Sequence, residues 1–456
     1  MGGMLLVTHA LLIPVVGPAH IDDGWMLVDD AGLVHSLGGG IPPAVPAGTR
    51  ILDAGGAFVA PGFVSSHSHL FTGPTRGLGA DRTLYGWCDS MLGLFAHVPP
   101  ELVYWCTLHG SLDFLANGVT TAFDFTDPRL PWEPMVEGVR SGGGELRPIE
   151  YTLRQTDAKA DAGLRFVDAI PMDATIGTDE EIMERFAEAI AHGAGVDPRL
   201  RLGGAVFGAV QWSPREDAAE LEVEAMRRFG IVNQAHFLET REAVELQRAK
   251  FEHYARAGAL GPDMVFGHFI QTTPGIIERA AAGGARMSWQ PASNGRLASG
   301  VADIPAIRAA GMPIGVGLDD QACTDVADPW QNMRIGMYQL RALTGDPAVM
   351  SPEEMLRLHT LGSAEVIGVA DRVGSLEPGK HADFVVVDPR RPDLGPLWHP
   401  VAAYVLACSL RNLKQVYVGG ELVAEDGVSL NPLAAEASAR LHEQLPRIAA
   451  EHGWPA

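Results

Sequence analysis

The sequence predicts an α/β fold, a (β/α)8 TIM-type barrel joined to a small β-sandwich domain built from both chain ends. Two observations carry this prediction. In the middle of the chain, eight short apolar runs alternate with Ala-rich stretches of helical length and pattern. On either side of that middle lie short predicted strands separated by Gly, Pro and Asp turns. We expect the two flanking segments to pair into one small domain.

The eight apolar runs are the predicted barrel strands. They are Ala57–Val64, Val119–Phe125, Pro148–Leu153, Leu202–Val210, Gly230–Phe237, Met264–Ile270, Ala285–Gln290 and Met312–Leu318. An open doubly wound sheet is the alternative architecture, but that fold favours a GxGxxG turn after the first strand, and the sequence has none there. The barrel is therefore the preferred prediction.

The predicted domain boundaries follow from this alternation. Residues 1–60 and 370–430 form the small β-sandwich domain. Residues 61–369 form the barrel, which is expected to hold a metal ion, and residues 431–456 form a C-terminal surface helix.

The balance of charge excludes several classes of partner. The 456 residues include 34 basic and 56 acidic ones, for a formal net charge of -22. Nucleic acid binding and polybasic membrane contact both need a basic face, so we expect neither. The four cysteines form no CxxC pair, and the apolar segment Met4–Gly17 follows no basic residue and is too short to span a bilayer. We expect a cytoplasmic protein with reduced thiols.

Metal-binding side chains follow several of the predicted strands. They are His67 and His69 after strand one, His236 and Glu239 after strand five, His268 after strand six, and Asp319 after strand eight. Each signal is weak alone, because a chain with 16 histidines acquires such positions easily. In a barrel, however, the carboxyl ends of all strands meet at one mouth. The coincidence of these positions therefore predicts a catalytic site.

The residue types at these positions suit metal-dependent hydrolysis. His67 and His69 point the same way from an extended strand, because side chains alternate with period two. Together with His236 and Asp319, they offer three neutral imidazoles and one carboxylate, which leaves a position open for water. We expect one divalent ion, zinc first, with iron or manganese as the alternatives. Such an ion lowers the pKa of bound water towards about 7.

The motifs around these residues resemble the amidohydrolase superfamily, and within it the branch of cytosine deaminase, S-adenosylhomocysteine deaminase and the triazine hydrolases. The resemblance runs from about residue 4 to about residue 423. The matching segments are Pro61–His69 with Arg76–Gly77, His236–Thr240, Gly267–His268, Ser293–Gly300, Gly315–Asp319 and Gly374–Asp383.

The resemblance implies a role for each site residue. His67, His69, His236 and Asp319 would be the metal ligands, and Asp319 would also accept a proton from the bound water. Glu239 would protonate a ring nitrogen or the leaving group. His268 would form a hydrogen bond to the metal-bound water, so that Glu239, His268 and Asp319 are the predicted catalytic residues.

The activity implied is deamination of a planar N-heterocycle, of purine, pyrimidine, pterin or triazine type, by attack of a metal-bound hydroxide. The partners expected are a small-molecule substrate and further copies of the chain in a homo-oligomer. A related subclass holds two metal ions through a carboxylated lysine on the fourth strand. The predicted fourth strand, Leu202–Val210, has no lysine, and the nearest one, Lys159, follows the predicted third strand. A single ion is therefore expected.

Three positions depart from the deaminase pattern of the family. Gln271 and Trp289 stand where the family often has histidine, and Asp320 stands where it often has Gly or Ser. We expect these residues, together with Trp87, to contact the substrate, with Trp289 stacking on a planar ring. The departures keep open the hydrolysis of carbamates, phenylureas, thiocarbamates or chloro-triazines. A barrel that has lost catalysis and serves as a scaffold is the remote alternative.

Overall fold

The computed structural model describes residues 3–140, 144–390 and 394–454. Its strands, numbered β1 to β17 in chain order, are Leu5–Leu12, Ile21–Val28, Val34–Gly39, Arg50–Asp53, Phe58–Pro61, Phe63–Ser68, Val119–Phe125, Arg165–Pro171, Arg201–Gly208, Val232–Phe237, Met264–His268, Arg286–Trp289, Ile314–Val316, Phe384–Val387, Leu413–Val418, Glu421–Glu425 and Val428–Ser429.

The α-helices are numbered α1 to α15 in the same way. They are Leu84–Phe95, Pro100–Ala116, Glu150–Ala162, Asp179–Gly193, Ala218–Phe229, Val244–Ala257, Pro274–Gly283, Pro291–Arg296, Ile304–Ala309, Gln321–Thr324, Pro329–Thr344, Pro352–Arg357, Ser363–Val366, Pro400–Leu406 and Ala434–Glu451. A 3-10 helix, Leu70–Thr75, and a π-helical turn, Leu358–Gly362, complete the set within the described ranges.

Strands β6 to β13 form the barrel. They lie side by side in sequence order, each parallel to the next, in an eight-stranded sheet. The first and last strands meet where Ser68 bridges Asp319 and the Asp319 N–H donates to the His67 carbonyl at 2.9 Å. Helices separate the consecutive strands, as right-handed parallel connections require. The predicted (β/α)8 barrel is confirmed.

A second, mixed sheet is built from both ends of the chain. Its order is β17-β16-β15-β14-β5-β1-β2-β3, with β4 pairing with β1. The early strand β5 lies antiparallel to the late strand β14, with Val59 opposite Val386. Apolar residues of both chain ends pack on this sheet in a core of their own, which includes Leu12, Val59 and Phe384. The predicted pairing of the two chain ends is therefore observed.

Several helices begin or end on residues that cap them. Thr178 and Glu181 form a capping box at the start of α4, where the Thr178 hydroxyl accepts from the Glu181 N–H. Asp328 caps α11 in the same way by accepting from the Gln331 N–H. Gly163 ends α3 with a left-handed φ of 78°, a conformation that glycine adopts at little cost. These local signals set the helix boundaries between the barrel strands.

The third barrel strand differs from the prediction. Pro148–Leu153 is not a strand: from Glu150 onward this segment belongs to helix α3, and the strand is β8, Arg165–Pro171. A short apolar run fits a buried helix as well as a strand, and its period cannot separate them. The true strand carries two charged residues, Arg165 and Asp168, so its sequence is not a continuous apolar run.

Asp168 is tolerated inside the wall because it joins a buried cluster of charges. Lys159 of α3 donates from Nζ to Asp124 at 2.8 Å and to Asp168 at 2.5 Å, and all three side chains are buried. Burial opposes the charge of the ammonium, but the two carboxylates hold the pKa of Lys159 above its ordinary value. Asp124 also accepts the Leu70 N–H at 2.8 Å, directly after His69. Lys159 therefore precedes the third strand, contrary to the prediction. Its ion pairs join strands β7 and β8 close to the barrel mouth.

The outer elements complete the barrel. The predicted C-terminal helix is observed as α15, which packs against α2, and beyond it the Trp454 indole donates to the Ser90 carbonyl of α1 at 2.7 Å. The four cysteines are free thiols. None of the helices in the described ranges has the length and apolar character needed to cross a bilayer.

Replacing Lys159 by Met is expected to lower the free energy of unfolding by about 3–5 kcal/mol, because Asp124 and Asp168 keep their buried charges and lose their nearest cation. Urea unfolding followed by circular dichroism measures the loss. Lys414→Met is the matched control, since Lys414 pairs with Asp426 near the surface, where an ion pair contributes at most about 1 kcal/mol. Equal losses in the two variants would contradict the role given to Lys159.

Candidate active site

Three segments at the carboxyl ends of the barrel strands bring the predicted metal ligands together. His67 and His69 come from the end of β6, His236 from β10, and Asp319 from the residues after β13. Asp319 Oδ1 lies 3.5 Å from His67 Nε2 and 3.7 Å from His69 Nε2. The Nε2 atoms of His69 and His236 are 2.9 Å apart. Residues separated by about 250 positions in sequence thus share one small volume.

The catalytic candidates lie beside this group. His268 Nε2 is 3.6 Å from Glu239 Oε2 and 3.9 Å from Asp319 Oδ2. Ligand atoms of Glu239, His268 and Asp319 all lie within 4.8 Å of one another, and the same holds for His67, His236 and His268. His268 is therefore close enough to join the ligand set, a role that the sequence assigned to other residues.

Buried polar atoms in this cluster lack conventional partners. Within the part of the chain that the structure describes, His67 Nε2, His268 Nε2 and Glu239 Oε2 are buried and accept or donate no hydrogen bond. Buried polar groups almost always have a partner, and those that lack one point to an ion or ligand. The donor set of imidazoles and a carboxylate is the set that catalytic zinc and iron sites use. The residues fit a divalent cation.

The ring of His67 is held in one orientation. Gln234 Nε2 donates to the Ser66 carbonyl at 2.9 Å, which leaves Gln234 Oε1 to accept from His67 Nδ1 at 2.6 Å. The proton on Nδ1 leaves the lone pair of Nε2 facing the cluster. Such outer hydrogen bonds orient metal-binding imidazoles in known sites. No sequence motif indicates this role of Gln234, because both of its partners lie on β6, far from it in sequence.

The Ser293–Gly300 segment supports the two remaining catalytic candidates. Ser293 Oγ donates to Asp319 Oδ2 at 2.5 Å. Asn294 Oδ1 lies 2.9 Å from His268 Nδ1, and Gln290 Oε1 accepts the His268 N–H at 2.8 Å. The sequence motif indicated this segment but not its function, because its partners lie on β11 and in the residues after β13.

Burial keeps the clustered imidazoles neutral. It lowers the pKa of His69 to about 4, against a smaller opposing effect of the Asp319 carboxylate. It also lowers the pKa values of His67 and His236 well below the ordinary value. Neutral imidazole is the form that binds metal ions, so these side chains are ready ligands at neutral pH.

The carboxyl groups of the site have unequal acidities. Burial raises the pKa of Glu239 well above its ordinary value, and the negative charges of Asp319 and Asp320 raise it further. Burial also raises the pKa of Asp320, with Asp319 adding to the rise. Burial acts to raise the pKa of Asp319 as well, but the nearby imidazoles, with His67 having the largest effect, hold that pKa below its ordinary value. Glu239 therefore favours the protonated form while Asp319 stays ionised.

Two glycines allow the strands to approach His67. A Cβ on Gly317 would lie 2.6 Å from the His67 Cβ, and one on Gly267 would lie 3.0 Å from the His67 ring. Each glycine stands one or two residues before a functional side chain, His268 or Asp319. Both of those residues have a left-handed φ of 64°, a strained conformation that aims them into the mouth.

A cavity with about 850 Å³ of empty space, part of it open to solvent, lies over the cluster. It is mostly apolar, with polar groups concentrated at the His and Asp cluster, which is typical of a small-molecule site. Trp87 and Asp320 line it as the sequence predicted. The other described lining residues are His69, Phe71, Thr72, Leu84, Cys88, Met91, Leu92, Pro128, Trp132, Arg140, Pro171, Asp173, Phe207, Ala209, Trp212, His236, Glu239, His268, Leu297, Asp319 and Cys323.

The assembly of imidazoles and carboxylate on a (β/α)8 barrel agrees with a comparison of the sequence with family models. The model of the amidohydrolase family matches residues 58–423, which is most of the chain. The chain belongs to the amidohydrolase family. The resemblance found in the sequence motifs is confirmed, and the protein is a hydrolase acting on C–N bonds.

Two curated relatives of this amidohydrolase carry the name 5-methylthioadenosine/S-adenosylhomocysteine deaminase. That of Syntrophobacter fumaroxidans is 28% identical over 411 residues, which cover 87% of this chain and 89% of the relative. That of Symbiobacterium thermophilum is 27% identical over 456 residues, which cover 98% of this chain and 99% of the relative. The similarity therefore extends over both the barrel and the mixed sheet.

Solved structures share the whole fold of this amidohydrolase. An adenosine deaminase from Xanthomonas campestris with bound zinc superposes with a TM-score of 0.83 at 22% identity, covering 98% of both chains. The zinc complex of an atrazine chlorohydrolase from Arthrobacter aurescens gives 0.82 at 19% identity, covering 97% of this chain and 100% of the other. At these identities the likeness establishes the fold.

Two predicted substrate contacts of the amidohydrolase need correction. Trp289 is fully buried and points away from the barrel interior, where a methyl group added at Gly336 of α11 would come within 2.8 Å of its ring. Gln271 donates from Nε2 to the Ser299 carbonyl at 2.5 Å. Neither is among the described residues that line the cavity. Side chains alternate between the two faces of a strand. On β12, Ser288 therefore faces the barrel interior, where its Oγ contacts that of Ser66, and Trp289 faces outward.

The sequence missed several residues of the cavity wall. Trp132 and Trp212 line it, and so do Arg140 and Asp173, which form a buried ion pair. All four lie in the connections that follow barrel strands. No local pattern marks a loop residue as cavity-lining, since its position depends on the path of the loop across the mouth.

Replacing Trp289 by Phe is expected to lower the free energy of unfolding by about 0.5–3 kcal/mol, because the smaller ring leaves space between β12 and α11. The KM of any substrate that is turned over should stay the same. Trp87→Phe is the matched variant, since Trp87 lines the cavity, and it should change KM. A higher KM for Trp289→Phe would restore the stacking role that the structure contradicts.

Proposed function

We propose that this amidohydrolase removes ammonia from a planar amino-substituted N-heterocycle, with purine-type rings first among the substrates. The observation that carries the proposal is the position of Glu239. Its carboxyl group is buried at the base of an apolar cavity, 3.6 Å from His268, and has one oxygen without a partner in the described structure. Such a group can exchange a proton with a ring nitrogen that enters the cavity.

We further propose that the site holds one divalent ion, zinc first, on His67, His69, His236 and Asp319. Supporting this set are the convergence of their ligand atoms and the unpartnered Nε2 of His67. The fourth barrel strand, β9, contains no lysine that could bridge a second ion. When bound, such an ion activates a water molecule as a nucleophile at neutral pH.

Three side chains, those of Asp319, Glu239 and His268, share the proton transfers of the proposed reaction. Ionised Asp319 is placed to take a proton from the water nucleophile, and Ser293 fixes its second oxygen by donating at 2.5 Å. Protonated Glu239 donates to the ring nitrogen, which makes the ring carbon more electrophilic. His268 lies between the two carboxyl groups, and its orientation is fixed through Asn294. General acid–base catalysis of this kind speeds reactions by about 10² to 10⁴.

The lining of the cavity favours a substrate larger than a bare ring, because polar side chains lie on the wall as well as at the His and Asp cluster. The relatives named for deamination of 5-methylthioadenosine and S-adenosylhomocysteine support a purine carrying a substituent. Arg140 and Asp173 provide polar contacts for that substituent.

The test of this proposal is ammonia release by the zinc-loaded protein from amino-purines, amino-pyrimidines, pterins and amino-triazines. We expect release from one class, purines first, together with loss of activity in a chelator and recovery when zinc is restored. A protein that binds zinc but releases no ammonia from any class would contradict the proposal. That result would favour the carbamate, phenylurea and chloro-triazine substrates instead.

Glu239→Gln is expected to lower kcat by about 10² to 10⁴, because the amide cannot give up a proton, while the metal content stays the same. Steady-state kinetics and metal analysis measure both quantities. Glu421→Gln serves as the control, since Glu421 pairs with Arg50 on the surface of the mixed sheet. Turnover by Glu239→Gln at the rate of the control would remove Glu239 from the mechanism.

A further inference from the structure

Trp212 forms an aromatic part of the cavity wall next to a metal ligand. Its ring centroid lies 5.4 Å from that of His236, at an interplanar angle of 43°. The indole also packs on the aromatic interior of the barrel, which includes Phe125 and Phe207. Trp212 thus presents a flat apolar surface close to the position where chemistry occurs. It lies in the connection between β9 and α5, so its position depends on what holds that connection.

Lys250 of α6 forms hydrogen bonds to the backbone on both sides of Trp212. Its Nζ donates to the Gln211 carbonyl at 2.8 Å and to the Ser213 carbonyl at 2.7 Å. These are the residues immediately before and after the indole. One ammonium group therefore fixes the direction in which the intervening residue, Trp212, leaves the backbone.

The choice of lysine at this position needs a physical reason. Lys250 is 5% exposed, and within the described ranges it makes no ion pair with a carboxylate. Burial lowers the pKa of Lys250 to about 8, which reflects the cost of placing an ammonium group there. Methionine would fill similar space without that cost. What lysine adds is a set of donors for the Gln211 and Ser213 carbonyl groups, which have no other hydrogen-bond donor among the described residues.

The same connection is tied to the catalytic strand. Gln211 Oε1 accepts the Leu238 N–H at 2.7 Å, one residue before Glu239. At the start of the connection, Glu222 Oε1 accepts the Ala209 N–H at 2.7 Å. The connection that carries Trp212 is therefore held at its start by Glu222 of α5. Around Trp212 it is held by Lys250 and by the backbone that follows β10.

We propose that Lys250 is a positioning residue that holds Trp212 as the wall against which the planar ring of the substrate packs. The proposal rests on the proposed function for the nature of the ring. Lys250 is not among the described residues that line the cavity, so we expect it to act on binding of the ring through Trp212. Stacking on an indole acts on binding of the ring and leaves the proton transfers at Glu239 intact.

The test is a double-mutant cycle of Lys250→Met and Trp212→Ala in the zinc-loaded protein. The readouts are KM and kcat for the best amino-purine and the Kd of purine riboside, a planar probe without an amino group, by calorimetry. Each single variant should raise KM and Kd by about 2- to 12-fold, the factor that a stacking contact provides, with kcat nearly unchanged. In the Trp212→Ala background, Lys250→Met should add nothing further.

Conservative and surface variants complete the experiment. Lys250→Arg keeps donors for both carbonyls and should recover most of the affinity. Lys414→Met removes a lysine that pairs with Asp426 near the surface, and Trp398→Phe alters an indole that is 83% exposed, so both should behave as wild type. If Lys250→Met does not fold, Lys250→Gln, whose shorter amide reaches fewer carbonyls, replaces it in the cycle.

Three results would overturn the proposal, and a fourth would contradict the proposed function alone. Unchanged KM and Kd in Lys250→Met, or in Trp212→Ala, would show that the wall is not used. An equal effect of Lys250→Met with and without the indole would show that Lys250 acts by another route. A wild-type protein that binds purine riboside but releases no ammonia would contradict the proposed function and leave the cycle measurable through Kd. One that binds no planar ring would overturn both.

Discussion

Closure of the barrel between its first and last strands is the constraint on which the site depends. The Asp319 N–H donates to the His67 carbonyl, and Ser65 Oγ accepts the Leu318 N–H at 3.0 Å. This contact is possible because Gly317 has no side chain to strike His67. Only when the two strands meet does Asp319 Oδ1 come to lie 3.5 Å from His67 Nε2 and 3.7 Å from His69 Nε2. Binding of a metal ion by these groups would therefore be coupled to folding of the barrel.

The low polarity around the cluster decides the state of its members. Phe125 stacks on His69 with ring centroids 4.9 Å apart, and Phe207 and Trp212 flank His236. Removing water from these groups keeps the imidazoles neutral and the Glu239 carboxyl protonated, since burial disfavours charge on each. One environment thus favours neutral imidazoles and a protonated Glu239 carboxyl group together.

Two buried lysines outside the cavity stabilise the conformation of the barrel mouth. The Lys159 cluster in the wall fixes the backbone just after His69 through Asp124, and Lys250 fixes the connection that bears Trp212. Strained residues such as His268 persist only where their surroundings determine their conformation. Buried cations outside the cavity therefore hold the groups inside it without taking part in the chemistry.

The sequence by itself determined the barrel, the paired chain ends and the histidines and carboxylates that gather at the barrel mouth, because strand period and strand-end histidines are local signals. Tertiary structure alone decided that residues 148–153 lie outside the barrel sheet, that Trp289 faces the helices, and that Trp212 and Arg140 face the cavity. A one-residue register sets the face of a strand residue, and contacts distant in sequence set the path of a loop. Neither is written in the local pattern of residues.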